Sequence, residues 1–563
     1  VQANNHGARA RHFQPPPRLL ALIVKPLSEL PESLPSLQPL SREAFLAKHG
    51  VDPAAESRVL SWLKEKKLDF RVDSRRRTVF VLGSKAVLRR AFGVVDEEVQ
   101  GPAYTLGVKR LPAELEGAVV AVLGMHTTLE DTDPDAGPGD AANGHGVPGT
   151  ALALRTVEAL RKCYDFPPSF GKGQCIGVIE PDGGYVRDDV DAALKALGIV
   201  QPPQITDVII KPELPPLPPD LDNSYADGNN DDPLPQKEYI DQFAAWMRGE
   251  GYWPRAWKKY FEVTMDITLV AALAPEADVQ VFFGDGTAEG FLFMLQHALL
   301  VAEPRPTVLS ISWSFQERHL LNDASDIASA QQVNELLKAA AMMGVTVCCS
   351  SGDWGATNVD DSFSGPGLDV AFPASSPWAL ACGGTTLLDE SDGKWREVVW
   401  NHDFPEATAK LAENAHVHGA SGGGYSKLFP APLWQTTKSG ASAGRGTPDV
   451  AAVADPRCGI ECQILDNIFP SFGTSASAPI WAGLIAVLNA ELGVNVGCLN
   501  PLLHAASDDE RAAMFTAITE GDNKMSDTAA GFDAGPGWNP CTGFGTPRGQ
   551  GLLAYLRKKL KDG

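Results

Sequence analysis

The sequence predicts an α/β protein, a mainly parallel sheet with helices on both faces, preceded by a smaller α+β module. Three observations carry this. From Thr150 onward, short apolar strands alternate with helical stretches, the pattern of a parallel sheet. Ahead of them, residues 19–130 hold a separate set of strands and helices. Between the two lies a run of Pro, Gly and Asp, residues 131–149, that can build no core. At 563 residues the chain is too long for one small domain. Its 44% hydrophobic and 21% charged content is that of a folded globular protein rather than a disordered one. No run of about 18 or more apolar residues occurs, so no membrane span is expected.

The N-terminal module reads in order. Val1 to Arg18 is polar and proline-rich, unlike a signal peptide. Leu19 to Val24 is an apolar strand. Ser41 caps a helix running to about Lys48 and closed by Gly50. Asp52-Pro53 is a cap followed by a first-turn proline, opening a helix through Val59, Leu60 and Leu63. Phe70 to Leu82 reads as two strands around a charged turn at Asp73 to Arg77. Ser84 to Phe92 is a further helix stopped by Gly93, and Val119 to Leu123 a last strand. Together they predict a ferredoxin-like α+β sandwich. The expected division is residues 1–130, a linker at 131–149 that a protease would cut, and a main domain over 150–563.

In the main domain, strands are expected at Cys175–Glu180, Val279–Phe283, Val308–Trp313 and Val345–Ser350. Helices are expected near Arg187–Leu197, Phe291–Val301 and Ala330–Met342. An irregular polar insert, roughly Lys211 to Glu238, is expected to be an exposed loop.

Charge and cysteine content narrow the function classes. The formal net charge of −22 divides into +5 over residues 1–130 and −27 over the rest. A basic module joined to an acidic body suggests that the two dock, and argues against nucleic-acid binding by the body. An acidic surface also suits work at low pH. The nine cysteines are scattered and read mainly as structural thiols. Cys458 and Cys462 are close enough for a disulfide or a metal, though no second close pair stands nearby.

Three fragments can carry chemistry. Ser471-Phe472-Gly473-Thr474-Ser475-Ala476-Ser477-Ala478-Pro479 precedes the apolar run Ile480 to Leu488. Gly473 permits a tight turn, Pro479 suits a first helical turn, and Ser475 falls near the positive end of the helix dipole. That is a place for a serine that carries and later sheds negative charge, although an ordinary capping serine gives the same local pattern. Phe261-Glu262-Val263-Thr264-Met265-Asp266-Ile267 sets two carboxylates four apart on one helix face among apolar residues. Buried, they must share a proton or a partner; exposed, they are an unremarked acidic pair. Ser350-Ser351-Gly352-Asp353-Trp354-Gly355 puts Asp353 beyond the carboxyl end of a strand, where α/β ligand sites form and turn aspartates also occur. The 11 histidines offer no Asp-His-Ser arrangement, and Ser475 lacks a Gly-x-Ser-x-Gly elbow.

Joined in this order, the fragments resemble the sedolisin family, the serine-carboxyl peptidases with a subtilisin-like fold, and within it the kumamolisin-type pro-enzymes. The resemblance extends to Gly-Gln-Cys-Ile at 173–176, Ser-Ile-Ser-Trp at 310–313 and Phe-Pro-Ala-Ser-Ser-Pro-Trp at 372–378. It continues through Ala-Cys-Gly-Gly-Thr at 381–385, Pro-Asp-Val-Ala at 448–451 and Ala-Gly-Pro-Gly-Trp at 534–538. It implies Ser475 as nucleophile, Glu262 as general base and then acid, Asp266 as the group orienting Glu262, and Asp353 as the oxyanion-stabilising acid. Glu180 and Trp313 match an extended hydrogen-bond network. Asp369 matches a subsite position that can favour a basic substrate side chain.

Elementary chemistry agrees with the pattern. A carboxylate has an unperturbed pKa near ~4, against ~6.5 for histidine, so a Glu base moves the enzyme to acid. Asp353 can donate to an oxyanion only when protonated. The implied protein is an acid-acting endopeptidase made as a self-processed zymogen. Its partners would be peptide substrates and its own prodomain, and its place outside the cell or in an acidic vesicle. A tripeptidyl exopeptidase and an inactive binding protein are the alternatives. The resemblance also implies a calcium site, but the two carboxylate positions hold Ala517 and Asn539, leaving the carbonyls of Ile518, Gly535 and Gly537. Losing both charges weakens calcium severely.

Overall fold

The computed structural model describes residues 18–31, 39–98 (apart from 84 and 93), 104–108, 111–124, 150–210 (apart from 182), 255–403 (apart from 285, 287, 322–323, 359–366 and 391–394), 418–435, and 444–562 (apart from 465–466 and 527). The expected linker at 131–149 and the insert at 211–238 lie outside the described residues.

Two compact units emerge, and they do not follow chain order. In the smaller, four strands form an antiparallel sheet: β1 (Arg18–Val24), β2 (Asp69–Asp73), β3 (Thr78–Gly83) and, after a hairpin of β4 (Val94–Glu98) and β5 (Tyr104–Val108), β6 (Val119–Gly124). Their order is β2-β3-β1-β6. With the helices Pro53–Glu65 and Lys85–Phe92 between them, this is the ferredoxin-like βαββαβ arrangement. Asp52 caps its helix as expected, accepting from the N–H groups of Ala54 and Ala55. Leu20, Leu22, Val59, Leu63, Val79 and Val81 fill the core. The β4–β5 hairpin was not expected: Val94 to Val108 shows neither alternation nor a two-residue turn signal.

The larger unit takes in Leu27–Gly50 as well as the main domain. Helix Arg42–His49, capped by Ser41, lies in this segment. Arg42 donates to Glu303 Oε1 and to the Ala302 carbonyl, both at 2.6 Å. The Leu40 N–H reaches the Met342 carbonyl at 2.9 Å.

The main sheet has eight strands. Seven are parallel: β7 (Cys175–Glu180), β8 (Ile205–Ile209), β9 (Asp278–Phe283), β10 (Val308–Ile311), β11 (Thr346–Ser350), β12 (Leu380–Asp389) and β14 (Val450–Val453). β13 (Trp395–Val399) is antiparallel to β12. Strands β7, β10 and β11 are buried at every position, as a sheet covered on both faces requires. Ile176, Val178, Val308, Cys348 and Leu380 pack with the helices Arg255–Leu273 and Thr474–Leu492 in one core. Helices Ala288–Leu300 and Ala324–Met342 pack on β7, β9 and β11.

The helix Thr474–Leu492 is long and apolar enough to cross a membrane by length and composition alone, but it is a core element, buried along most of its length. It meets Arg255–Leu273 closely because Gly483 has no side chain; a Cβ there would stand 2.8 Å from that of Leu273. All nine cysteines are thiols. Cys458 and Cys462 do not pair with each other; their sulfurs lie near the carbonyls of Leu387 and Ile460.

Candidate active site

Three neighbouring parallel strands deliver their carboxyl ends to one place. Glu180 ends β7, Ser312 and Trp313 follow β10, and Asp353 follows β11. The sequence reading extended the third strand to Trp313. In the structure it stops at Ile311, and that release lets Ser312 and Trp313 turn into the site. Two buried helices supply the remainder: Glu262 and Asp266 from Arg255–Leu273, and Ser475 from the second position of Thr474–Leu492.

The start of that last helix corrects one expectation. Pro479 does not open it; the helix begins at Thr474 and Pro479 lies inside it. A proline has no N–H for the carbonyl four residues back and crowds it. That carbonyl belongs to Ser475, and the Ser312 hydroxyl reaches it at 3.2 Å. The same Ser312 Oγ stands 2.6 Å from Asp266 Oδ2, to which it donates. Ser312 thus ties the Ser475 backbone to the Asp266 carboxylate. Sequence reasoning missed this residue, although it lies within the Ser-Ile-Ser-Trp motif.

The acids form a buried chain. The Ser475 hydroxyl lies close enough to Glu262 to favour its ionised carboxylate. Glu262 and Asp266 interact electrostatically, and each interacts with Glu180. Asp266 and Glu180 are fully buried. Trp313 Nε1 donates to Glu180 Oε2 at 2.6 Å. Glu180 Oε1, Glu262 Oε1 and Asp266 Oδ1 are left buried without a partner. Burial first, and neighbouring carboxylates second, push Asp266 well above its ordinary value. Burial does the same to Glu180 and Glu262, opposed by the Trp313 hydrogen bond and the nearby Ser475 hydroxyl respectively. Three carboxylates so placed cannot all be ionised; protons held among them relieve the repulsion and satisfy the orphan oxygens.

Asp353 meets the start of the Ser475 helix. Its Oδ1 accepts from both the N–H and the hydroxyl of Thr474, each at 2.7 Å. Its Oδ2 lies so near Gly473 that a Cβ there would stand 2.5 Å away. Gly473 has φ +77°, which adds a second reason for glycine. Burial raises Asp353 too, against the pull of the Thr474 bonds, favouring the neutral, donating form. Phe472 stacks on Phe261 with centroids 5.1 Å apart, tying the loop before Ser475 to the helix that carries Glu262.

Asp369 stands apart from this cluster. It is 2% exposed, and Arg318 Nε donates to its Oδ2 at 3.1 Å. A substrate cation would have to displace that guanidinium.

The donor set expected for calcium does not suit a cation. Asn539 turns its amide nitrogen, not its oxygen, toward the carbonyls of Ile518 (3.3 Å) and Gly535 (3.1 Å). Ala517 offers no side-chain oxygen, and among the described residues no group of three or more His, Cys, Asp or Glu side chains is placed to hold a metal.

Comparisons with known proteins bear on the family. Kumamolisin from Bacillus sp. (strain MN-32) is 34% identical over 92% of this chain and 86% of its own. The chain belongs to the sedolisin family. Tripeptidyl-peptidase sed5 of Aspergillus fumigatus is 32% identical over 53% of this chain and 51% of its own. Among solved structures, a Pseudomonas sedolisin, a serine-carboxyl proteinase complexed with pseudo-iodotyrostatin, superposes with a TM-score of 0.56 at 23% identity. That match covers 73% of this chain and 99% of the other, and it shows the shared fold. No family model matches the chain. As a sedolisin it is a serine-type peptidase, and its substrates are peptides or proteins.

Proposed function

We propose that this sedolisin is an acid-acting endopeptidase, made as a zymogen that processes itself in the segment 131–149. The observation that carries the mechanism is that Ser475 interacts with Glu262 and directly follows Thr474, whose N–H and hydroxyl hold Asp353. Glu262, ionised, takes the proton of Ser475 as its oxygen attacks the peptide carbonyl carbon. Asp353, protonated, donates to the oxyanion that forms. Glu262 then gives its proton to the departing amine nitrogen, leaving an acyl ester on Ser475. Water repeats the sequence: Glu262 accepts its proton, the ester carbonyl is attacked, and the serine oxygen leaves with the proton returned. Asp266, held by Ser312, keeps Glu262 oriented and shares protons with it.

Asp353 loses its donating proton as pH rises, and Glu262, although burial raises it, is the ionised member of its cluster when Asp266 and Glu180 hold the protons, so the reaction belongs at acid pH. The endopeptidase reading is supported by the kumamolisin match, which runs along 92% of the chain, whereas the tripeptidyl-peptidase match covers about half. The zymogen reading is supported by the separate ferredoxin-like unit and by its basic charge against an acidic body. Acidification protonates carboxylates and weakens such docking. An acidic vesicle or the exterior of the cell suits this chemistry.

The test is a peptide library, N-blocked and free, across acid to neutral pH, with wild type and Ser475→Ala in parallel. Acid-peaked cleavage of blocked peptides that vanishes in the variant is expected. Release of tripeptides from free N-termini alone would replace endopeptidase by exopeptidase. A peak above neutral pH would overturn the assignment of Glu262 and Asp353.

A further inference from the structure

We infer that the loop running from Ile518 to Thr542 is closed by the side chain of Asn539 in the place where the sedolisin fold leads one to expect calcium. The stability of this chain is therefore independent of that ion. The argument begins with the amide's orientation. Asn539 is 5% exposed. Its Oδ1 accepts from the backbone N–H groups of Cys541 at 3.0 Å and Thr542 at 3.1 Å, and from the Thr542 hydroxyl at 3.3 Å. Backbone donors cannot become acceptors, so the oxygen is fixed toward them. The nitrogen is fixed by exclusion toward the two carbonyls, Ile518 and Gly535.

Each carbonyl that would have bound a cation receives an N–H instead. Calcium requires six to eight oxygens at about 2.3–2.6 Å. Turning Asn539 over to supply its oxygen would set its NH₂ against two backbone N–H groups and strand both of them, buried. A cation beside the present orientation would meet an amide hydrogen.

The acids nearby are engaged elsewhere. Asp522 Oδ1 accepts from Asn401 Nδ2 and from the Lys524 N–H, at 3.1 and 2.9 Å. Asp533 Oδ1 is paired with Lys524 Nζ at 2.5 Å. Beneath the loop, Val399, Ile518 and Cys541 form a small apolar core with Phe532 and Ala534. The backbone of Asn539 is doubly bonded to Gly543. The loop supports the active site directly, because the Asn523 carbonyl accepts the Ala356 N–H three residues after Asp353. Closing it without a metal thus holds the oxyanion side of the site as well.

Thermal unfolding of the full chain, carried as Ser475→Ala to prevent self-digestion, decides the matter without reference to activity. Tm is expected to be the same, within about one degree, in excess EDTA and in millimolar calcium. Asn539→Asp removes the N–H donors and adds a charge facing two carbonyls. Its Tm should fall by several degrees in EDTA and recover in calcium, with Ala517→Asp/Asn539→Asp recovering further. A Tm of the Asn539-containing chain that drops in EDTA and returns with calcium would overturn the inference. So would stoichiometric calcium binding by titration calorimetry, or an Asn539→Asp variant as stable in EDTA as its parent.

Discussion

Pro479 stands one helical turn beyond Ser475 and has no N–H to give that residue's carbonyl, which the hydroxyl of Ser312 reaches instead, at 3.2 Å. The proline is thereby part of the site's construction. It frees the carbonyl of Ser475 as an acceptor, and the group that meets it is the one holding Asp266. Ser312→Ala should lower kcat by about 10- to 100-fold with KM nearly unchanged, since the lost contact positions the catalytic acids rather than substrate. Ser312→Thr, which keeps the hydroxyl, should recover part of it. A rise in KM alone would assign Ser312 to substrate binding.

Asp353 gives a sharper test of the acid mechanism. Asp353→Ala should cost roughly 10²–10³ in kcat, the scale of a lost oxyanion donor. Asp353→Asn should cost less, because its amide can donate at any pH. The alkaline limb of the pH–rate profile should therefore move upward in the Asn variant. An unmoved limb would show that another group titrates there.

Gly473→Ala tests the wall behind Asp353. The added Cβ would stand 2.5 Å from Asp353 Oδ2, on a backbone at φ +77°. Neither the carboxyl nor the turn can yield without shifting Ser475, two residues on. Loss of activity by at least about 100-fold is expected, as misplacement of about 1 Å at a catalytic group brings. Circular dichroism should remain native-like.

The buried carboxyls also set how stability depends on pH. Glu180, Glu262, Asp266 and Asp353 are all raised, chiefly by burial. Each holds its proton more tightly folded than unfolded. The stability they contribute is full below the unfolded carboxyl values, near ~4, and is lost as pH rises through the higher folded values. In a Ser475→Ala background, Glu180→Gln should raise Tm by a few degrees at neutral pH and change it little at acid pH. Equal effects at both would remove Glu180 from this linkage.

Arg318 and Asp369 bear on specificity. With the guanidinium already on Asp369 Oδ2, peptides carrying a basic side chain at that subsite should gain nothing over neutral ones. Arg318→Gln should raise kcat/KM for the basic peptides by about tenfold, the order of one uncovered charge pair. No change would place Asp369 outside the substrate's reach.

The sequence by itself determined the two modules, four of the eight strands of the main sheet (β7, β9, β10 and β11), and the four residues Glu262, Asp266, Asp353 and Ser475 as candidates. It could do so because periodicity, caps and short motifs are local, and each is written within one turn or strand. Ile205–Ile209, Leu380–Asp389, Trp395–Val399 and Val450–Val453 were not foreseen. Only the tertiary structure decided what those residues meet. Ser312 gains its role from a carbonyl 163 residues away, and Asp369 is covered by an arginine 51 residues upstream. The direction in which Asn539 turns its amide is fixed by backbone N–H groups whose orientation exists only once the loop has closed. Pro479 was misplaced for the same reason. Its local preference is for a helix's first turn, and the distant hydroxyl that makes an interior position tolerable is invisible along the chain. Hydrogen bonds between residues far apart in sequence leave no periodic trace, so the site's candidates were legible while their partners, orientations and proton sharing were settled by packing.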